Sequence, residues 1–170
     1  GESQSLPVAA LTVKILCQHH NTGLSTLDAT AGGFARALNT IFQVRSSQDP
    51  PVQPTETAID GALLERWLLK VMTGALAAGI LRKGLERFEW QPDRMWLSLL
   101  FGLVPFEREQ GLYVHPTQFN VKANEGVGMR PLWRGSECTG GLIRLYGLEL
   151  AVFRQFDGEP WLRERTTGRV

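Results

Sequence analysis

The sequence predicts an α+β protein: an N-terminal strand, knuckle and helix, a long central core helix, and a C-terminal antiparallel β-rich lobe. Three observations predict it. Apolar residues recur at helical spacing over residues 27–41 and 63–78, and a Pro-rich polar stretch separates the two. After Gly102 the chain breaks into short apolar runs divided by Gly and Pro, the pattern of successive antiparallel strands.

Residues 1–7, GESQSLP, are polar and end in Pro, so they bury little. Residues 8–16 set Leu11, Val13 and Ile15 on one face and Thr12, Lys14 and Leu16 on the other, the period of a strand. A polar knuckle, 17–23, follows, with Asn21 and Gly23 as turn-forming residues. Ser25 and Asp28 fit a helix start, a capping hydroxyl followed three residues on by an acid. Leu27, Ala31, Phe34, Leu38 and Ile41 then mark one helix face. Gly32 and Gly33 weaken its interior by about 1 kcal/mol each relative to Ala, which calls for a close packing partner or a bend.

Residues 45–57, RSSQDPPVQPTET, have the composition of an exposed connection. The domain reading is therefore 1–44 as knuckle and helix, 45–58 as linker, and 59–170 as helical core plus sheet, the first and last able to pack as one unit. Asp60 is placed to cap a helix running to about Leu81, with Leu63, Leu64, Trp67, Leu68, Val71, Met72, Ala75, Leu76 and Ala78 over more than half its circumference. Gly79 and Gly84, with Arg82 and Lys83, mark its end. Pro92 opens a shorter helix over 93–101, with Met95, Trp96, Leu99 and Leu100 inward. Strands are expected at 112–115, 118–122, 127–133, 142–145 and 148–156, the last with a bulge near Ala151 or Phe153. The tail from Asp157 is polar apart from Trp161 and Leu162.

The chain has 170 residues, 43% hydrophobic and 21% charged, enough to bury a core without covalent staples. A net charge of +1 gives no basic excess for a large nucleic-acid footprint. Two cysteines are too few for a disulfide framework, and no apolar run is long enough for a bilayer span, so a cytoplasmic protein with reduced thiols and no membrane partner is expected. The opening Gly1 without Met suggests a processed or engineered start, with room for a native chain that begins further upstream. Phosphate-cradling Gly loops, dinucleotide fingerprints, nucleophile elbows and His-Glu-x-x-His motifs are absent from the sequence.

The chemical signal lies at 17–28, CQHHNTGLSTLD. Cys17 and His20 have the Cys-x-x-His spacing with which two neighbouring residues grip one zinc, and Asn21 follows directly. This block resembles the second half of the motif in zinc-flanked HNH endonucleases. With the later Glu65-Arg66-Trp67-Leu68-Leu69-Lys70 it resembles uncharacterised bacterial HNH-like proteins. The resemblance implies a zinc knuckle, nucleic acid as partner, and a scaffold that is inactive alone. The family's general-base hairpin has no counterpart in residues 1–16, which contain no Cys, no His and one acid, Glu2.

Weaker readings attach to the same residues. His19 is an alternative imidazole to His20, and Asn21 is a weak metal candidate that also suits a turn. His115 and Cys138 could complete a Cys2His2 set. Cys17 with His19 or His20 as nucleophile and base is disfavoured, because residues so close in sequence rarely meet productively. Glu65 and Arg66 are expected on the polar edge of their helix, and Trp90, Trp96, Trp133 and Trp161 as separate core fillers. Two functions stay open: a nuclease-related scaffold, or a non-enzymatic domain binding a protein partner or a second copy of itself, with a relic knuckle.

Overall fold

The computed structural model describes residues 17–46, 57–81, 90–107, 110–115, 128–145 and 148–154. They form helices and a four-stranded antiparallel sheet, an α+β arrangement. The strands expected at 8–16 and 118–122, most of the connection at 45–58 and the tail from Asp157 lie outside the described residues.

The knuckle is helical. Residues Gln18–Gly23 form α1, with Cys17 at the extended N-cap position and Asn21 N donating to Cys17 O. Asn21 therefore sits within a helical turn, and its carbonyl accepts from Leu24 N as that turn closes. Only Leu24 separates α1 from α2, Ser25–Ser46. Leu24 and Leu27 are buried at this junction, which anchors an otherwise exposed α1.

Along α2 the expected face is inward at Leu27, Ala31 and Leu38, whereas Ile41 is exposed. Asp28 lies in the first turn, but its carboxylate reaches Lys70 Nζ on the next helix at 2.7 Å. The helix is continuous through Gly32 and Gly33. The nearest atoms to a Cβ at either belong to the Arg36 guanidinium on the same helix, so no neighbouring element requires glycine there.

Helix α3, Gly61–Ala77, packs against α2, the next helix and three of the four strands. Asp60 caps it by accepting Leu63 N, and Leu64, Leu68, Leu69, Met72, Ala75 and Leu76 are buried. It stops short of the expected Leu81. Gly79, at φ 65°, donates to Leu76 O while Ile80 N donates to Ala75 O, the paired bonds of a glycine-terminated helix.

Helix α4, Arg94–Leu100, repeats the device: Asp93 caps its start and Gly102, at φ 68°, ends it, with Leu103 N donating to Ser98 O. Trp96, Leu99 and Leu100 are buried, but Met95, in the first turn at the edge of that face, is 49% exposed.

The sheet has the order β1-β4-β3-β2, from β1 (Gly111–His115), β2 (Gly128–Arg134), β3 (Glu137–Leu145) and β4 (Leu148–Phe153). Leu112, Ile143, Leu145, Leu150 and Val152 join the helices in one core. Leu142, Ala151 and Phe153 form a second cluster, with Tyr113 and Leu132 packed against it.

Strand β3 begins well before the expected residue 142. Gly140 and Gly141 are mid-strand, where backbone and side chains crowd them. The bulge also lies elsewhere. Strand β4 pairs regularly through Phe153, while Leu132 faces Gly140 and Trp133 faces Cys138, leaving Thr139 as the extra residue of β3. That extra residue resets the alternation, so Cys138 joins the helix-side core on the same side as Gly141, which abuts Met72.

Candidate functional sites

The sequence-derived residues do not converge. Cys17 Sγ and His20 Nδ1 are 3.1 Å apart on one exposed helical turn. The His20 ring lies edge-on to Phe101 at 5.5 Å, just beyond α4, and to His19 at 5.7 Å. A soft sulfur and an imidazole nitrogen are zinc-type donors, and two such ligands on one tetrahedral zinc stand about 3.6 Å apart. The pair fits half a zinc site after a small opening. Among the described residues no three His, Cys, Asp or Glu are grouped to hold a metal ion.

Cys138 is 2% exposed within β3, its Sγ donating to Gly140 O at 3.3 Å. Burial pushes its thiol up to about 11, with backbone hydrogen bonds from Gly140 and Leu132 opposing that shift. It is a neutral core thiol, ill suited to bind metal as a thiolate. The backbone of His115, in β1, pairs with Glu149 of β4; its side chain lies outside the described residues.

Glu65 and Arg66 face inward instead of lining a polar edge. Glu65 is buried and accepts Leu112 N at 2.9 Å. Arg66 Nε donates to Leu100 O at 3.0 Å, where its charge complements the C-terminus of α4.

A different cluster emerges where the bulged end of the sheet meets the start of α4. Arg154, 6% exposed, follows β4, and its backbone N–H donates to Thr139 O, which aims it along the sheet end. Its guanidinium joins Asp93 through Nη1 and Glu137 through Nη2. Asp93 serves twice, since Oδ1 caps α4 through Trp96 N at 2.8 Å while Oδ2 takes Arg154. Glu137 is delivered by the tight turn at Gly135 and Ser136, with Gly135 at φ 57°. Burial lowers the Arg154 pKa from its ordinary value, and two carboxylate partners hold the group charged.

Arg154 also lies 5.9 Å from the centre of the Trp96 ring, on which Trp90 stands edge-to-face at 5.1 Å. The two Trp are therefore neighbours. Together with Arg154, Asp93 and Glu137 they line a cleft of 280 Å³. Sequence reasoning missed the three charged residues. The available signals were the Pro92-Asp93 cap and a Gly135-Ser136 pair suited to a two-residue hairpin.

No family model, curated protein or solved structure matches this chain.

Proposed function

We propose that this chain is a non-enzymatic binding domain whose cleft between α4 and the bulged sheet end takes a cationic group presented by a protein partner. The observation that carries this reading is the charge and shape of the Trp90–Trp96 cleft. The Asp93 and Glu137 side chains are 51% and 50% exposed, so both stay open to solvent while engaging Arg154. Two carboxylates against one guanidinium leave a formal excess of one negative charge. The half-buried Trp90 indole beside the carboxylates, backed by the buried Trp96, favours an ammonium or guanidinium over an anion. A volume of 280 Å³ suits one side chain better than a nucleotide.

No helix among the described residues is long and apolar enough to cross a membrane. Both Cys17 and Cys138 are free thiols, which supports the reducing cytoplasm as the place of action.

The test is a fluorescence titration of the full chain with Lys- and Arg-bearing peptides at low salt, using an acidic peptide as control. Saturable quenching by basic peptides, weakened at least tenfold in Trp90→Ala and Glu137→Gln, supports the reading. Equal response to both peptides, or indifference to both variants, rejects it.

The nuclease-related reading is supported by one observation, the Cys17–His20 contact at 3.1 Å. In that reading a strand at 8–16 precedes the knuckle, the pair holds zinc, nucleic acid is the partner, and the general base comes from elsewhere. A plasmid-nicking assay with added divalent metal should show no cleavage by this chain alone.

A further inference from the structure

We infer that Cys17 and His20 are half of a zinc site that a second copy of this chain completes. Zinc held by sulfur and nitrogen is four-coordinate in closed sites, and one turn of α1 supplies two donors 3.1 Å apart.

The remaining Cys and His residues in the chain are His19, His115 and Cys138. Cys138 is locked in the core, and the side chain of His115 lies outside the described residues. His19 adjoins His20 in sequence, so on a helix its side chain departs about 100° around the axis, and it does not group with the pair as a third ligand. A twofold axis through the metal doubles Cys17 and His20 into a Cys2His2 set without further residues.

The surroundings leave room for that approach. No residue of α1 is buried, so the donor pair stands on an uncovered surface. His20 rests against Phe101, and the chain continues from there into an exposed apolar segment with Leu103 76% and Val104 36% exposed. Apolar surface beside a metal half-site is what a small, metal-dependent dimer contact requires, because zinc supplies the affinity that limited area cannot. This inference is independent of the cleft: it concerns another surface, and the cationic-peptide titration does not bear on it.

The experiment measures mass by light scattering and metal by elemental mass spectrometry on the full chain, with zinc added and then removed by EDTA. The expected result is a doubled mass with about one zinc per two chains, reversed by EDTA. Cobalt substitution should give the intense visible bands of tetrahedral sulfur and nitrogen ligation.

Cys17→Ser and His20→Ala should each abolish zinc uptake and dimerisation, and the exposure of α1 means that both variants stay folded. Leu103→Asp should weaken the zinc-loaded dimer at least tenfold. Cys138→Ala and His115→Ala should leave stoichiometry and mass unchanged. One zinc per monomer, loss of zinc on changing His115 or Cys138, a dimer that survives EDTA, or no uptake at micromolar free zinc would each overturn the inference.

Discussion

Glu65 Oε1 accepts the backbone N–H of Leu112 at 2.9 Å, tying the first half of α3 to the first strand across 47 residues of chain. Gly111 makes room for it: at φ 102°, a Cβ there would come within 2.5 Å of the same oxygen. Glu65→Ala is expected to strand a buried amide and cost about 1–3 kcal/mol. Glu65→Gln keeps an acceptor and should cost less, while Gly111→Ala should approach the alanine result from the opposite side of the contact. Urea unfolding checks this, with a lower midpoint at unchanged slope as the expected signature.

The paired glycines of β3 should respond unequally to alanine. A Cβ at Gly140 would collide with the Val152 carbonyl and the neighbouring backbone of β4. At Gly141 the obstacle is mainly the end of the Met72 side chain, with Sδ at 2.6 Å. A thioether can rotate away and a paired strand cannot. Gly140→Ala should therefore destabilise by about 1–3 kcal/mol or more, and Gly141→Ala by less, in parallel thermal or urea melts. Equal losses would mean that Met72 is held as rigidly as the strand.

This contrast shows what is legible in such a sequence. Caps at Asp60 and Asp93 and the stop at Gly79 act over three to five residues, so their signals are local and readable. Faces such as Leu27, Ala31 and Leu38 are readable because helical periodicity is local too. Gly140 and Gly141 are ambiguous because glycine suits both a turn and a close backbone approach, and only the partner strand decides between them. Glu65 and Arg66 mislead, and Arg154 gives no signal, for the same reason. Their partners Leu112, Leu100, Asp93 and Glu137 are distant in sequence, and a charged side chain reads as solvent-facing until such a partner appears. The Cys17–His20 pair was readable as a pair, since three residues span one helical turn; whatever completes it lies beyond that turn.

Thr73 links two helices through one hydroxyl. It accepts the Trp96 indole N–H at 2.7 Å and donates to Leu69 O at 2.6 Å. Trp96 is 1% exposed, so water does not readily replace that acceptor. Thr73→Val, nearly the same shape, should cost about 1–3 kcal/mol by leaving a buried donor without its acceptor, whereas Thr73→Ser should retain most of the stability. Because Trp96 also lines the cleft, Thr73→Val should shift the tryptophan emission of the folded protein, a readout separate from the melt.

Cys138 should make stability depend on alkaline pH. Burial raises its thiol from an ordinary 9.0 to about 11, because the charged thiolate is poorly tolerated in the core. Below pH 9 both folded and unfolded chains keep the proton, and the stabilising contribution is fully present. Between pH 9 and 11 the unfolded chain loses the proton first, so the folded state binds more protons and stability falls with rising pH. The slope should approach roughly 1.4 kcal/mol per pH unit and vanish above the folded value. Lysines and tyrosines titrate in the same range, so the informative quantity is the difference between the parent chain and Cys138→Ala, in which their effects cancel. That difference should be flat up to pH 9 and then move in favour of the variant; a flat difference to pH 11 would mean that the thiolate is accommodated in the folded core.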